Sequence, residues 1–151
     1  MVTAYVGMGW SPVGARRRAC TSPVARYRRG AKALITSGAA VLLVKEHHAD
    51  GTPFWTLPGG GVAPGETLVE GLHRELGEEL GCRNAVIGAP SGELWYAHHS
   101  MPGLVSKYTV FECRTLSKPQ PNPNEGVTAH RWVRPETIPP GTLPQVRAVC
   151  W

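Results

Sequence analysis

The sequence predicts an α+β domain or a layered α/β/α domain, in which helices cover a β-sheet. Two observations support this prediction. Short apolar segments of strand length stand before and after one helix with strong periodicity. The 42% apolar and 18% charged content of the 151 residues is typical of a globular protein long enough to bury a core.

Six segments have the character of strands. Those before the helix are residues 31–36, 39–46 and 54–57, and those after it are residues 93–99, 104–113 and 127–133. The Ser37-Gly38 pair indicates a turn between the first two segments. Residues 119–126 are rich in proline and predict a loop. Pro135-Glu136 could open a last short helix.

Residues 67–80 are predicted to form the central helix, because leucine recurs every four positions from Leu68 to Leu80. Thr67, with Glu70 three residues later, forms a capping-box pattern, and Gly81 fits the C-terminal stop. The loop ahead of the helix contains three consecutive glycines at residues 59–61. Its backbone can approach a ligand or metal closely, because no side chain is in the way.

Basic residues are concentrated at the N-terminus. The first 32 residues hold seven basic side chains and no acid, whereas residues 33–151 hold nine basic and eleven acidic ones. The sequence therefore predicts a basic N-terminal arm at residues 1–28, for which disorder is left open, ahead of a domain at residues 29–151. Such an arm could bind nucleic acid, and a solvated tail is the alternative.

Several features favour a cytoplasmic protein. No apolar run approaches the length of a membrane span. The three arginines at residues 16–18 are not followed by the apolar stretch of an export signal, although the composition of the arm leaves a transit peptide as an alternative. The four cysteines are widely spaced and predict free thiols: Cys20, Cys82, Cys113 and Cys150.

Three glutamates lie close together on the predicted helix. At about 100° per residue, Glu75, Glu78 and Glu79 fall within an arc of roughly 100°. Their mutual repulsion and the helix dipole each cost below about 1 kcal/mol, and Arg74 can orient Glu78 as an ion pair. A divalent cation would turn the repulsion into binding, and Mg²⁺ prefers such oxygen ligands. Either a metal site or a solvated acidic face explains the pattern.

Residues 60–82, GGVAPGETLVEGLHRELGEELGC, resemble the signature box of the Nudix hydrolase family. That box has the pattern G-x5-E-x7-R-E-U-x-E-E-x-G-U, where U is a bulky aliphatic residue. Only the last position departs, with Cys82, which packs as a small hydrophobe. The WTLPGG segment before the box and the strand around Trp132 are also similar to the family. Eight positions match at the required spacing: Gly60, Glu66, Arg74, Glu75, Leu76, Glu78, Glu79 and Gly81.

The resemblance implies a fold and a metal site. The fold would be an α/β/α sandwich with a mixed β-sheet, in which the box forms a loop–helix–loop. Glu66 would order the site, and Arg74 would hold the glutamates in position. The metal would be Mg²⁺, with Mn²⁺ as a substitute, and its ligands would be Glu75, Glu78, Glu79 and the Gly60 carbonyl.

The implied reaction is attack of water on a phosphorus of a nucleoside diphosphate that is linked to another group. The base would be Glu78 or Glu79 within the box, or Glu125 in the loop before the Trp132 strand. The compact chain favours a small MutT-like nucleoside triphosphatase. ADP-ribose, dinucleoside polyphosphates and the 5′ end of RNA are alternative substrates, and a non-catalytic nucleotide sensor is a further alternative.

Residues outside the box would bind the substrate, which is expected to be a small nucleotide. Trp55, Trp95 and Tyr96 could stack a nucleobase, although each is also suited to core packing. Trp55 has the better claim because it leads directly into the glycine loop. Trp55, Arg29 and Tyr96 are the predicted substrate-binding residues. The oligomeric state is left open, including a homodimer.

Overall fold

The computed structural model describes residues 2–4, 26–98 and 103–151. Two α-helices lie in these residues, α1 (Leu68–Leu80) and α2 (Pro144–Cys150), with 3-10 turns at Pro123–Glu125 and Pro135–Thr137. The strands of the same part of the chain are β1 (Val2–Ala4), β2 (Arg26–Ser37), β3 (Ala40–His47), β4 (Pro53–Thr56), β5 (Gly59–Gly61), β6 (Val86–His98), β7 (Leu104–Arg114) and β8 (Ala129–Val133).

The described strands form one mixed sheet in the order β1-β6-β7-β2-β3-β4, with β5 paired to β2 and β8 paired to β3. Strands β2 and β7 are parallel, from the Arg26–Leu104 pair to the Ile35–Cys113 pair. The other pairs are antiparallel. Pairing of β5 with β2 ties the glycine segment to the middle of the sheet.

The sheet lies between the two helices, which confirms the predicted sandwich. Alternate residues of β3 point to opposite faces, as expected for a strand buried on both sides. Leu42 belongs to the core under α1, and Leu43 belongs to the core that α2 covers. The core on the α1 face includes Leu72, Leu76 and Leu80 with Ala31, Ala33 and Ile35, and the core on the α2 face includes Leu143 and Val146 with Val41, Leu94 and Val110.

The helix ends agree with the capping pattern of the sequence. The Thr67 side chain accepts a hydrogen bond from the Glu70 amide, and the Glu70 carboxylate accepts one from the Thr67 amide. Gly81 ends α1 with a left-handed φ of 66°. The turn between β2 and β3 also lies where Ser37-Gly38 indicates it.

Some boundaries differ from the predictions. Strand β2 begins at Arg26, before the predicted segment, because β7 pairs with it along this stretch. Strand β6 begins at Val86 rather than residue 93, and bulges around Pro90 interrupt its alternation. The last α-helix begins at Pro144, since Pro135–Thr137 is a single 3-10 turn.

Most of the predicted basic arm, residues 5–25, lies outside the described residues. Strand β1, near its start, pairs with the end of β6. Within the described residues, no helix has the length and apolar character needed to cross a membrane. The cysteines that the structure describes, Cys82, Cys113 and Cys150, are free thiols.

Replacing Leu76 with alanine is expected to lower the free energy of unfolding by about 2–5 kcal/mol, because the side chain is fully buried between α1 and the sheet. The matched control is Leu116→Ala, since that side chain is 72% exposed. The control should change the free energy of unfolding by less than about 0.5 kcal/mol. Urea denaturation followed by circular dichroism measures both, and equal losses would contradict this packing.

Candidate active site

The glycine segment β5 lies directly against the acidic face of α1. The Gly59 amide donates a hydrogen bond of 2.8 Å to Glu79 Oε1. A Cβ atom added at Gly60 would lie 2.8 Å from the Glu75 carboxylate. A side chain at Gly59 would overlap the Ala31 carbonyl oxygen, and the φ of 129° there favours glycine. These two glycines therefore allow the backbone to contact the helix carboxylates.

Arg74 connects the box residues by using all five of its N–H donors. Its Nε and Nη2 bind the two oxygens of Glu66 at 2.8 and 3.0 Å, as a bidentate pair. Nη2 also donates to the Gly61 carbonyl at 3.0 Å. Nη1 donates to Glu75 Oε1 at 3.2 Å and to Glu78 Oε2 at 3.1 Å. One side chain thus holds the loop and two helix glutamates together.

Glu66 is the anion that fixes Arg74 from the loop side. It also accepts a hydrogen bond of 2.7 Å from the Ala63 amide. The hydrogen bonds from Arg74 and then that from Ala63 lower the pKa of Glu66 to about 2. Glu66 is therefore ionised at neutral pH and keeps its charge-assisted bonds to the guanidinium.

Glu79 and Glu75 are the buried carboxylates of the site. Glu79 is only 5% exposed, and burial raises its pKa to about 8, although the Lys32 charge opposes this shift. Burial also raises the pKa of Glu75, against the effect of Arg74. Both carboxylates are poorly hydrated as anions, so a bound cation would stabilise their charged forms.

The donor set of the site fits a hard divalent cation. Among residues 2–4, 26–98 and 103–151, no three His, Cys, Asp or Glu side chains converge closely enough to enclose an ion by themselves. Mg²⁺ does not need such a cage, because it keeps several waters and binds through one or two carboxylates. The close approach of Gly60 to Glu75 brings a backbone segment and a carboxylate side by side. These residues fit a hard divalent cation.

The loop that carries Glu125 is attached to the C-terminal end of α1. The Asn122 amide donates to the Glu79 carbonyl at 2.9 Å, and its Nδ2 donates to the Glu78 carbonyl at 3.1 Å. These bonds satisfy carbonyl groups that the last helical turn leaves without partners. Glu125 itself is exposed in the following 3-10 turn. The structure thus brings the loop of Glu125 to the helix end that bears Glu78 and Glu79.

Two of the predicted substrate-binding residues lie in the core under α2. Trp55 is 8% exposed, with Lys45 Nζ at 5.9 Å and Arg131 Cζ at 5.2 Å from its ring centroid. Tyr96 is 2% exposed, and its hydroxyl lies 2.9 Å from Thr56 Oγ1. Both rings therefore contribute to the packing of this core, and substrate binding by them stays a prediction.

Arg29, the third predicted substrate-binding residue, lines an open cavity of about 410 Å³. In the sheet Arg29 lies opposite Lys107, which lies opposite Trp95, so three adjacent strands place these side chains in a row. The Tyr27 ring meets the Trp95 ring edge to face at 5.6 Å between centroids. The remaining lining residues are Gly30, Leu68 and Thr109. Because Gly30 pairs with Gly61, this cavity adjoins the glycine segment.

Sequence reasoning missed three residues of this region: Tyr27, Lys107 and Lys32. Lys32 carried a usable signal, because it is a charged residue inside an otherwise apolar strand segment. Tyr27 and Lys107 carried none, since only the parallel register of β2 and β7 brings them to the same cavity.

The chain is similar to known proteins in both sequence and fold. The sequence profile of the NUDIX domain matches residues 26–151. The chain belongs to the Nudix family. Its fold resembles the crystal structure of a MutT Nudix hydrolase from Burkholderia pseudomallei, with a TM-score of 0.66 and 23% identity over 83% of this chain and 96% of that one.

Two curated relatives are similar in sequence over part of the chain. An RNA pyrophosphohydrolase of Orientia tsutsugamushi is 33% identical over 81 residues, which cover 54% of this Nudix chain and 50% of the relative. The nucleoside triphosphatase NudI of Escherichia coli is 32% identical over 91 residues, which cover 56% of this chain and 64% of NudI. The chain thus spans between half and two thirds of these relatives.

In metal-free buffer, Glu79→Gln is expected to change the pH dependence of stability. The pKa of Glu79 is about 8 in the fold against an ordinary value of 4.5, so the folded state disfavours its charge. The wild type should therefore lose stability relative to the variant as the pH rises from about 5 to 8, by about 1 kcal/mol or more.

The measurement is urea denaturation of both proteins in EDTA at several pH values across this window. Using the difference between the two proteins removes the contribution of other titrating groups. A difference that does not change with pH would contradict the assignment of a raised pKa to Glu79.

Proposed function

We propose that this Nudix protein is a Mg²⁺-dependent pyrophosphohydrolase that cleaves the diphosphate linkage of a nucleoside triphosphate. The observation that carries the proposal is the Arg74 cluster, which gathers Glu66, Glu75 and Glu78 beside the glycine segment. The name of the Escherichia coli relative, a nucleoside triphosphatase, supports the substrate class. The free thiols of the described cysteines are compatible with action in the cytoplasm.

Glu75, Glu78, Glu79 and the Gly60 carbonyl would hold the cation. A bound Mg²⁺ or Mn²⁺ would supply Lewis acidity, which would offset charge on the phosphate oxygens and activate water for attack. Arg74 prepares the site by fixing two of these carboxylates against the loop. Such preorganisation reduces the rearrangement required when substrate binds.

A glutamate would accept the proton of the attacking water. Glu78 is a candidate because its side chain is 37% exposed and can be reached by water. One of its oxygens is also fixed by Arg74. Glu79 is a candidate because its Oε1 is already fixed by the Gly59 amide. Glu125 is the candidate outside the box, since its loop is bonded to the same helix end.

The cavity beside Arg29 would receive the nucleoside. A volume of about 410 Å³ is within the range of small-molecule sites. The Trp95 and Tyr27 rings are suited to contact with a planar base, and Arg29 is suited to the negative charge of phosphates. Lys107 Nζ already lies 3.3 Å from Glu93 Oε1 and over the Trp95 ring. The glycine segment lies between this cavity and the helix acids, where the diphosphate would extend.

The triphosphate end of an RNA is a second candidate substrate. Arg28 and Arg29 are both exposed at the start of β2, and Arg29 lines the cavity. An RNA chain entering the site would meet these positive charges through its phosphates. The relative from Orientia tsutsugamushi, named as an RNA pyrophosphohydrolase, supports this candidate.

With Mg²⁺, the wild type is expected to release pyrophosphate or phosphate from a nucleoside triphosphate. Glu79→Gln should lower kcat by about 100-fold or more, because it removes a carboxylate needed for cation binding or proton transfer. The matched control is Glu136→Gln, which changes an exposed glutamate in the turn at Pro135–Thr137 and should keep full activity. EDTA should abolish turnover.

The assay panel contains nucleoside triphosphates, ADP-ribose, dinucleoside polyphosphates and an RNA with a 5′-triphosphate. Preferred turnover of another member would replace the proposed substrate and keep the reaction. Nucleotide binding without turnover of any member would favour a sensor and contradict the proposed enzyme.

Glu78→Gln and Glu125→Ala separate the base candidates within the same assay. An inactive Glu78→Gln beside a fully active Glu125→Ala excludes the base outside the box. The opposite pattern excludes Glu78. If both variants are active while Glu79→Gln is not, Glu79 is the remaining candidate.

Trp95→Ala is expected to raise KM about 10-fold with little change in kcat, because loss of base stacking costs roughly 1–3 kcal/mol. Trp95→Phe should retain most of the affinity. Trp132→Ala is the control, since this tryptophan is 37% exposed on β8 and does not line the cavity. Steady-state kinetics with the preferred substrate measures all three, and an unchanged KM for Trp95→Ala would exclude stacking on this ring.

A further inference from the structure

Lys32 is a buried lysine that binds the glycine segment. Its side chain comes from the middle of β2 and is almost fully enclosed. The Nζ atom donates a hydrogen bond of 3.0 Å to the Gly59 carbonyl. The Gly59 amide in turn donates to Glu79 Oε1 at 2.8 Å. A single residue of the backbone is therefore held by a cation at its carbonyl and by a carboxylate at its amide.

The surroundings of Lys32 keep it charged and fixed. Its Nζ lies 4.9 Å from the centroid of the Tyr108 ring and 3.9 Å from Glu46 Oε2. The latter distance exceeds that of a good hydrogen bond, so the Gly59 carbonyl is the better partner. Burial alone would lower the pKa of Lys32, but Glu46, Tyr96, Tyr108 and Glu79 raise it overall.

A buried lysine lowers the stability of the fold if packing is its only role. Burying an ammonium group costs several kcal/mol before its partners compensate, and an apolar residue of similar volume is often neutral or stabilising. The next position of β2 on the same face of the sheet, Leu34, is apolar and packs against the core under α2. The charge at Lys32 therefore requires a role other than packing.

We propose that Lys32 is a positioning residue of the metal site, which rests on the proposed function. By fixing the Gly59 carbonyl, Lys32 sets the position of β5 and, through the Gly59 amide, that of the Glu79 carboxylate. Lys32 lies outside the signature box, and its Nζ is bonded to the Gly59 carbonyl rather than to a predicted metal ligand. It acts through Gly59 on two of the groups that would hold the cation, Glu79 and the carbonyl of Gly60.

The test measures Mn²⁺ affinity by electron paramagnetic resonance, without substrate, on the full chain. Lys32→Met keeps the length of the side chain but removes its charge and its donor. Loss of a residue that orients metal ligands typically weakens metal binding about 10–100-fold, and this range is expected for Lys32→Met. The matched control is Lys45→Met on β3, whose lysine lies over Trp55 and should leave Mn²⁺ affinity unchanged.

A double variant tests the route through Glu79. If Lys32 acts through Gly59 on Glu79, the two substitutions remove the same contribution to Mn²⁺ binding. The loss of binding free energy in the double variant should then be smaller than the sum of the losses in the two single variants. Fully additive effects would overturn this route. A role confined to stability would lower the melting temperature of Lys32→Met and leave its Mn²⁺ affinity at the wild-type value.

The outcomes separate this inference from the proposed function. Absence of Mn²⁺ binding by the wild type would overturn the metal site itself. Wild-type binding with unchanged affinity in folded Lys32→Met would overturn only the role of Lys32. Should Lys32→Met fail to fold, Lys32→Gln is the alternative, because its side chain is one bond shorter than that of lysine and brings no charge to the Gly59 carbonyl. Several-fold weaker binding by this folded variant would support the role, and unchanged binding would overturn it.

Discussion

The geometry of the site depends on the hydrogen bonds and ion pairs of the Arg74 guanidinium. Four carboxylates, Glu66, Glu75, Glu78 and Glu79, lie along α1 and the loop before it, and three of them bind Arg74 directly. The planar guanidinium directs its five N–H donors toward the loop and the helix in fixed directions. A lysine ammonium could not reproduce this arrangement. Arg74 offsets only part of the charge of these carboxylates, and a bound divalent cation would offset more of it.

The box residues could be predicted from the sequence because their geometry is local. A regular helix fixes the relative directions of Glu75, Glu78 and Glu79, and the capping pattern at Thr67 and the stop at Gly81 fix its ends. The sandwich followed from apolar strands on both sides of one helix. Arg74 was expected to orient Glu78, but its bidentate bond to Glu66 depends on how the loop folds back.

The surroundings of the site could not be predicted because they depend on strand pairing. Nothing in the sequence indicates that Arg29 lies beside Lys107, which the parallel register of β2 and β7 decides. Composition likewise cannot distinguish an aromatic residue in the core from one at a surface. Because adjacent residues of a strand point to opposite faces, Tyr96 is buried while its neighbour Trp95 lines the cavity.

The parallel pairing of β2 with β7 has a consequence for how the molecule folds. Arg26 pairs with Leu104, 78 positions further along the chain (104 minus 26), so this contact closes a long loop. Such distant pairing forms slowly because closing a long loop costs conformational entropy. The box helix and its caps require only local contacts. The acidic helix can therefore form early, but the cavity beside it is completed only when β7 docks. The cavity proposed for the nucleoside is therefore a property of the finished sheet, whereas the acidic helix can form from local contacts alone.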